Sequence, residues 1–249
     1  MFINSAALDR HRSLNDITRG VAVLDWPSWR SESKLVHFET GVTGSSFTNY
    51  PNHLIFPTSS IFSLSCFSPT GSLAEASLIG NEGCVGLWLL SRNSPSPISF
   101  VLQTKGFGLV ISAEFLKREL SASTEFRQAL LNYSTTTVRY AMQTCFCYRH
   151  HTIEQQVTKM ILLTLRRTGR QELEITHQMI GTILGIRREG VSAALKNLHE
   201  RGFLTQRRGV IRVDQRKGLE STACECYPLL CSYLGYNHGS ESVTQDQVK

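Results

Sequence analysis

The chain has 249 residues, of which 41% are hydrophobic, and a formal net charge of +6 at pH 7. It is long enough to bury one or two sizeable cores, but it contains no apolar run of about 18 residues, and residues 1–20 carry several charges; we expect neither a membrane span nor a secretory signal. Seven cysteines is an odd number for a disulfide framework, which favours reduced thiols and a cytoplasmic protein.

The N-terminal half is predicted to consist mainly of short strands. Apolar segments occupy residues 53–58, 61–66, 73–79 and 98–103, and clusters of Pro, Gly, Asn and Ser separate them. Short strands at this close spacing predict a β-sandwich or β-roll. The pattern before residue 45 is weaker, so we expect any strands there to be short or irregular.

A long helix is predicted between the two halves of the chain. Its candidate packing positions alternate by four and three residues, which is a heptad-like seam. They are Phe126, Leu130, Tyr133, Thr137, Tyr140, Thr144, Cys147 and His151. About 26 helical residues at 1.5 Å each span roughly 39 Å. The seam predicts either a dimerisation helix or an amphipathic helix that packs on its own chain, and a second helix is predicted over residues 153–167.

Two groups of cysteines raise the question of a metal site. Cys147 and His151 would share a helix face, as a metal-binding pair does, whereas Cys145 would point about 200° away from Cys147. Cys224 and Cys226 form a second group near the C-terminus. Buried thiols at a helix interface are the commoner arrangement, so the sequence favours packing roles, with no metal and no cofactor. A redox or metal role for the cysteines stays open as the alternative.

Two short helices joined at a glycine are predicted from residue 176 to residue 201. Thr176 is a good N-cap, and Gly185 suits the left-handed residue that ends a helix. Gly181 is small at the point where the second helix must approach closely. This second helix is predicted to run from about Arg187 to Arg201. Its core stripe has helical spacing and consists of Val191, Leu195 and Leu198.

A basic hairpin is predicted directly after these helices. A strand begins at Phe203, Arg208-Gly209 makes a tight turn, and Val210–Val213 returns. Helix, turn, helix and wing in this order are typical of a winged helix-turn-helix. Residues 151–218 contain 13 Lys and Arg against 6 Asp and Glu, whereas residues 1–150 contain 12 against 10. The positive charge is therefore concentrated on this motif, as expected of a surface that binds DNA phosphates.

The exposed positions of the motif provide candidate DNA-binding residues. Arginine can donate to guanine O6 and N7, and glutamate can accept from cytosine N4, while phosphates bind a wider range of side chains. The candidates are Arg188 and Glu189 for bases, Arg187, Ser192 and Lys196 for bases or phosphates, and Arg207, Arg208 and Arg212 for phosphates.

The same stretch resembles the DNA-binding domain of the Crp/Fnr superfamily of bacterial transcription regulators. The matching residues are Leu184–Ser192, Leu195, Leu198, Gly202–Leu204, Arg208–Ile211, Asp214 and Gly218–Glu220. By this resemblance Arg188 and Glu189 hold the two leading base-reading positions of the recognition helix. The third position, often arginine in the family, is Ala193, which predicts an operator unlike the family's best-known one. Arg187 stands where a Ser or Thr helix cap is common.

The resemblance implies an α+β architecture in successive parts. It implies a cyclic-nucleotide-binding-like β-roll over residues 1–122, a dimerisation helix over 123–151, a winged helix-turn-helix over 152–226 and a polar C-terminal tail over 227–249. It also implies a homodimer on double-stranded DNA, with a contact to RNA polymerase. The sequence does not specify a small-molecule effector.

The family's phosphate cassette is not matched in this chain. The corresponding turn is Glu82–Gly86, and the nearby Arg92 precedes Asn-Ser-Pro instead of Ser-Ala. An anionic ligand would lose its main charge-assisted contacts without a placed arginine. We therefore expect no cyclic nucleotide, and we interpret glycines 80, 83 and 86 as β-turn residues.

Enzyme motifs are missing from the sequence. HExxH, P-loop and GxSxG patterns do not occur, so no catalytic residue is assigned. The sequence predicts a cytoplasmic, sequence-specific DNA-binding regulator. The alternatives are a regulator that needs no ligand, a redox or metal sensor that uses its cysteines, and a protein-interaction module with a vestigial winged helix.

Overall fold

The computed structural model of the chain describes residues 5–21, 26–39, 43–44, 50–67, 73–90 and 98–236. The chain divides into two compact units, one made of residues 1–64 and 78–137 and the other of residues 65–77 and 138–249. Arg92 and the predicted tail beyond residue 236 lie outside the described residues. In the part of the chain that is described, no helix combines the length and apolarity needed to span a bilayer.

The N-terminal half contains the predicted strands together with elements that the sequence pattern missed. In chain order, the elements are α1 (Ser5–Leu14), α2 (Asp16–Val21), α3 (Trp26–Glu32), β1 (Ser33–Phe38), β2 (Thr43–Gly44), β3 (His53–Pro57), β4 (Ile61–Phe67), β5 (Leu73–Ile79), a 3-10 turn (Leu87–Leu90), β6 (Ile98–Thr104), β7 (Gly106–Ser112) and α4 (Ala113–Ala122). The four predicted strands are confirmed as β3 to β6. The helices α1 to α3 and the strands β1 and β7 were not predicted.

The strands form two sheets, with the orders β1-β7-β3 and β2-β6-β4-β5. β7 is the central strand of the first sheet and pairs antiparallel with both neighbours. In β3 the side chains on both faces of the strand are buried, namely those of Leu54, Ile55 and Phe56. This burial explains why the strand is a continuous apolar run and not an alternation of apolar and polar residues. Trp29 of α3 closes this core, because its ring meets Phe115 and Phe126 edge-on at centroid distances of 5.5 and 5.1 Å.

Side chains from other parts of the chain pack against the turn at residues 82–86. A Cβ atom at Gly83 would lie 2.1 Å from the Tyr133 ring, so only glycine fits at this close approach. The Tyr133 hydroxyl donates to the Cys84 carbonyl oxygen over 3.0 Å, and the Asn15 side-chain amide donates to the Gly83 carbonyl oxygen over 2.8 Å. Gly83 therefore allows close packing, and it also closes the predicted turn, because its backbone amide donates to the Gly80 carbonyl oxygen over 3.2 Å. Gly86 has φ 101°, a conformation that favours glycine.

The predicted long helix forms as α5 (Thr124–His150). Its predicted seam is buried in the chain: Phe126, Leu130 and Tyr133 belong to a core cluster, and Tyr140, Thr144 and Cys147 are at most 1% exposed. The interpretation of this seam as a dimer face is therefore wrong, and the alternative, packing on the same chain, is confirmed. A second stripe lies on the opposite face of α5 and is exposed; it consists of Leu131, Val138, Met142 and Phe146.

The remaining helices and strands follow α5. They are α6 (Ile153–Thr168), β8 (Glu172–Glu174), α7 (His177–Leu184), α8 (Arg188–Glu200), β9 (Leu204–Arg207), β10 (Val210–Val213), α9 (Arg216–Glu220) and α10 (Cys226–Tyr233). A capping box between Thr152 and Gln155 begins α6, and left-handed Gly169 ends it. β10 pairs with β9 and with β8. The helix α10 occupies the start of the segment that the sequence analysis assigned to the tail.

Candidate nucleic-acid interface

The two helices of the predicted motif are α7 and α8, and their junction has the predicted geometry. The Thr176 hydroxyl accepts from the backbone amide of Met179 over 3.1 Å, and Gly185 has φ 67°. A Cβ atom at Gly181 would lie 2.8 Å from the carbonyl oxygen of Ile186. The backbone of the turn thus packs directly on Gly181, which fixes the entry of the second helix.

The recognition helix α8 runs from Arg188 to Glu200, and Arg187 is its N-cap without a side-chain capping hydrogen bond. Its core stripe is confirmed, because Val191, Leu195 and Leu198 are 0% exposed. This burial fixes which side chains face outward. Among the predicted site residues Ser192 is half-buried, whereas Arg188, Glu189 and Lys196 are exposed, as is Ala193.

The wing is a two-residue hairpin between β9 and β10. Arg208 and Gly209 have φ 42° and 82°, as expected of a type I′ turn, in which both central residues need positive φ. The Gly209 carbonyl oxygen accepts from the backbone amide of Ile175 over 2.8 Å. The tip of the wing is therefore tied to the start of α7.

A groove of about 450 Å³ lies between the start of α7, the start of α8 and the wing. Arg188, Arg207 and Arg208 line it together. Across the described ranges, none of these three guanidinium groups pairs with a carboxylate. The structure thus gathers three predicted site residues, uncompensated, around one concave surface.

Two other predicted cations lie outside this groove and have acidic neighbours. Nε of Arg212 lies 3.6 Å from Asp214 and 4.0 Å from Glu172, and Nζ of Lys196 lies 3.7 Å from Glu200. All of these side chains are well exposed, so the pairs are weak and screened. Arg212 and Lys196 nevertheless have carboxylates beside them that partly neutralise their charge, whereas Arg207 and Arg208 do not.

The sequence analysis missed His177, which joins the parts of the site. Its Nδ1 lies 2.9 Å from the Ser192 hydroxyl oxygen, and its Nε2 lies 2.6 Å from the side-chain oxygen of Gln206. The Gln206 side chain in turn donates to the Leu195 carbonyl oxygen over 3.2 Å. The hydroxyl of Ser192 also donates to the carbonyl oxygen of Arg188 over 3.0 Å, so Ser192 is held within the protein as well as placed at its surface.

Comparison with known proteins agrees with this geometry. Residues 155–222 match the model of the Crp-like helix-turn-helix domain. A comparison with curated protein sequences gives no match.

Solved structures of regulators share the fold over most of the chain. A protein from Eubacterium rectale assigned to the crp/fnr family of transcriptional regulators gives a TM-score of 0.66 at 17% identity, covering 84% of this chain and 98% of that one. FixK2 from Bradyrhizobium japonicum gives 0.63 at 14% identity, with 77% and 98% covered. A CRP-family transcriptional regulator from Thermus thermophilus gives 0.63 at 14% identity, with 76% and 96% covered.

At these identities the solved structures establish the fold, and the family model identifies the domain at residues 155–222. The α+β architecture is a cyclic-nucleotide-binding-like β-roll, a long helix and a C-terminal helix-turn-helix. Residues 155–222 are thus a Crp-like helix-turn-helix domain, and the chain as a whole has the fold of the solved Crp/Fnr-type regulators.

Proposed function

We propose that this protein is a sequence-specific regulator that acts in the bacterial cytoplasm and binds a two-fold-symmetric operator as a homodimer. It acts by occupying DNA and not by catalysis. In this proposal the bound dimer contacts RNA polymerase, as its superfamily resemblance implies, and the β-roll serves as a scaffold or as the domain that responds to an effector. A cyclic nucleotide is a poor candidate for that effector, because the sequence after the turn at residues 82–86 lacks the Arg-Ser-Ala step whose arginine would pair with its phosphate.

One observation carries the proposal: Arg188, Arg207 and Arg208 line a single groove without carboxylate partners among the described residues. Three like charges around one concave surface create a positive potential there, which attracts an anionic ligand. Here the cations stay exposed and uncompensated between a helix and a hairpin. A DNA strand supplies the missing negative charge at regular spacing.

We propose different roles for the candidate residues according to their positions on α8 and the wing. We assign Arg188 and Glu189, in the first turn of the exposed face, to base edges in the major groove. We assign Arg207 and Arg208 to phosphates. Arg187 is assigned to a phosphate or a base. We expect Lys196 and Arg212 to contribute less per charge because acidic side chains lie beside them. Ser192 would position the recognition helix through His177 and also reach the DNA.

Dimer formation is assigned to the exposed stripe of α5. Leu131, Val138 and Met142 are 61%, 58% and 68% exposed, and their spacing of seven and four residues is that of a helix pairing with a second copy of itself. An α5 of 27 residues at 1.5 Å each is roughly 40 Å long. That length would allow two recognition helices to lie about one duplex turn apart.

The test separates base reading from phosphate binding with two single substitutions. Arg188→Ala should cost roughly 1–3 kcal/mol on the preferred duplex and relax specificity at one base position. Arg207→Ala should weaken all duplexes alike and reduce the slope of log affinity against log salt by about 1. Lys117→Ala is the matched control, because it removes one exposed positive charge from α4, which is not part of the helix-turn-helix or the wing.

The outcomes distinguish this function from its alternatives. If Arg188→Ala weakens all duplexes equally, Arg188 is a phosphate contact and the assignment of base reading is wrong. If Arg188→Ala and Arg207→Ala both bind every duplex as the wild type and the Lys117→Ala control do, at every salt concentration, the winged helix does not read DNA. The protein would then be an interaction module that retains the fold without the function.

A further inference from the structure

Four side chains that are far apart in the sequence converge at the end of α5. Cys147 lies in its last turn and His151 directly follows it, while Cys224 lies between α9 and α10 and Cys226 is the first residue of α10. One ligating atom from each residue lies within 4.8 Å of the corresponding atom of every other residue. The three cysteines are at most 3% exposed. This group is called the Cys3His cluster below.

The spacing within the cluster suits one tetrahedral ion. Zn–S bonds of about 2.3 Å and Zn–N bonds of about 2.0–2.1 Å give tetrahedron edges of roughly 3.8 Å between two sulfurs and roughly 3.6 Å between sulfur and nitrogen. The Cys147 and Cys224 sulfurs are 3.7 Å apart, and the Cys226 sulfur lies 3.5 Å from Nδ1 of His151. Small side-chain rotations would bring the wider pairs, all within 4.8 Å, to the same spacing.

The groups around the cluster are those that accompany bound metal. Nε2 of His151 lies 3.1 Å from a carboxylate oxygen of Glu225, so Nε2–H can donate to Glu225 while Nδ1 keeps its lone pair for a metal. A carboxylate in this position fixes the ring and raises the basicity of the ligating nitrogen. The Gln143 side-chain amide donates to the Cys226 sulfur over 3.1 Å. Such donors stabilise thiolate in preference to thiol.

Lys159 provides an independent observation. It is 2% exposed, and its ammonium has no hydrogen-bond partner within the described residues. It lies 5.2 Å from the centroid of the Tyr148 ring and close enough to Cys147 to act on it electrostatically. A buried cation of this kind calls for a nearby negative charge. Zn2+ with three thiolates and a neutral imidazole has a net charge of −1, which would supply it.

We infer that Cys147, His151, Cys224 and Cys226 bind one Zn2+ ion in a closed, four-ligand structural site. All four ligands lie outside residues 155–222, the span of the matched domain, and they flank it on both sides. The ion would therefore clamp the segment that follows the wing to the end of α5 and the start of α6. Cys145 is exposed and takes no part, as its direction on the helix predicts.

The clamp reinforces contacts that the protein already makes. Arg139 of α5 lies 4.0 Å from the ring centroid of Tyr233 in α10, and the hydroxyls of Thr158 and Thr222 are 3.3 Å apart. These contacts bring the ligands together before the ion binds. Because four protein ligands leave no open position, the ion contributes to folding and not to catalysis.

The first test measures metal in the full-length chain purified under reducing conditions. Elemental analysis should find about one Zn2+ per chain, and exchange for Co2+ should give the thiolate charge-transfer and intense visible bands of a tetrahedral site. A chelator should lower the thermal midpoint of the wild-type protein. None of these readouts requires DNA, so they succeed or fail independently of the proposed DNA binding.

Matched substitutions then assign the ligands. Cys226→Ser and Cys147→Ser should lose the metal, whereas Cys231→Ser and Cys145→Ser should retain it. Cys231 is the stringent control, because it is buried in the same short helix as Cys226 but lies outside the cluster. If the serine variants fail to fold, His151→Cys keeps four ligands and should retain Co2+ with the spectrum of a four-thiolate site.

A charge substitution tests the role of Lys159. Lys159→Met should weaken metal binding on the order of 10–100-fold, the usual effect of losing an outer partner, with little effect on the metal-free protein. Equal metal affinity in this variant would overturn the assignment of Lys159 as the compensating charge.

Three results would overturn the zinc site itself. The first is a reduced wild-type protein that neither contains Zn2+ nor gives the Co2+ bands. The second is loss of metal from Cys231→Ser to the same extent as from Cys226→Ser. The third is isolation of the native chain with iron and inorganic sulfide, or with a stoichiometric disulfide between Cys147 and Cys224, in place of Zn2+.

Discussion

Nδ1 of His177 lies 2.9 Å from the hydroxyl oxygen of Ser192, which joins the first residue of α7 to the exposed face of the recognition helix. The other ring nitrogen contacts Gln206 in the wing. One half-buried side chain thus connects the three elements that border the arginine-lined groove. Elements that are already held in place lose less conformational entropy on binding, so this connection should increase the affinity for DNA.

We predict that His177→Ala weakens binding to all duplexes similarly, because it loosens the elements and removes no base contact. Loss of its two hydrogen bonds should lower the free energy of unfolding by about 1–2 kcal/mol. Duplex titration and thermal denaturation measure the two effects. Lys117→Ala, at an exposed position on α4, is again the control. Wild-type affinity in His177→Ala would show that the connection has no role in binding.

Arg208 is the non-glycine residue with positive φ among the described residues, and a type I′ turn prefers Asn or Gly there. Left-handed backbone costs such a residue roughly 1–2 kcal/mol, a strain that is typical of functional sites. Arg208→Asn should therefore raise the thermal midpoint and weaken DNA binding. Arg208→Lys, which keeps both charge and strain, should change neither by much. A stabilised Arg208→Asn variant with wild-type affinity would refute a phosphate contact at this position.

Gly181 and Gly190 provide a paired test of the helix junction. Gly181→Ala would place a Cβ atom 2.8 Å from the Ile186 carbonyl oxygen, whereas at Gly190 it would meet the flexible end of Ile153 at 3.0 Å. Overpacking against backbone should cost about 1–3 kcal/mol, while alanine at Gly190 gains up to about 1 kcal/mol of helix propensity. Chemical denaturation should show a lower free energy of unfolding than the wild type for Gly181→Ala, and an equal or higher one for Gly190→Ala. Equal destabilisation of both would contradict the close approach at Gly181.

The exposed stripe of α5 predicts the dimer interface. Met142→Glu should shift the protein toward monomer, because a charge would replace a 68% exposed apolar side chain at the proposed contact. Sedimentation over a range of concentrations measures this shift. Asn132→Glu, about 100° around the helix from Leu131, is the control and should leave the association unchanged. A Met142→Glu variant that associates as the wild type does would exclude this stripe from the interface.

Local patterns in the sequence predicted most of the DNA-binding domain. The helix cap, the turn and the buried face could be assigned directly, because each depends on residues close together in the sequence. These residues are Thr176 for the cap, Gly185 for the turn, and Val191, Leu195 and Leu198 for the buried face. The short strand β8 could not be, because its three residues become a strand only by pairing with β10. Helix α3 was missed for a similar reason: Trp29 is held by core aromatic rings that are distant in sequence.

The wrong interpretation of the α5 seam and the unpredicted convergence of the cysteines have the same physical origin. A heptad-like pattern indicates that one face of a helix is buried, but not whether its partner is the same chain or a second copy. Here the core of the same chain buries Phe126, Leu130 and Tyr133. Likewise, Cys147 and Cys224 are separated by 77 residues, and only the packing of α10 beside α5 brings their sulfurs together.

The central claim is that the dimer reads a specific DNA sequence, and selection of bound duplexes from a random pool tests it most directly. The purified protein would be used at about 0.15 M salt, where non-specific phosphate binding is weak. The account predicts enrichment of an inverted repeat with half-sites about ten base pairs apart. A pool that shows no enriched sequence, with or without added cell extract to supply an effector, would contradict it.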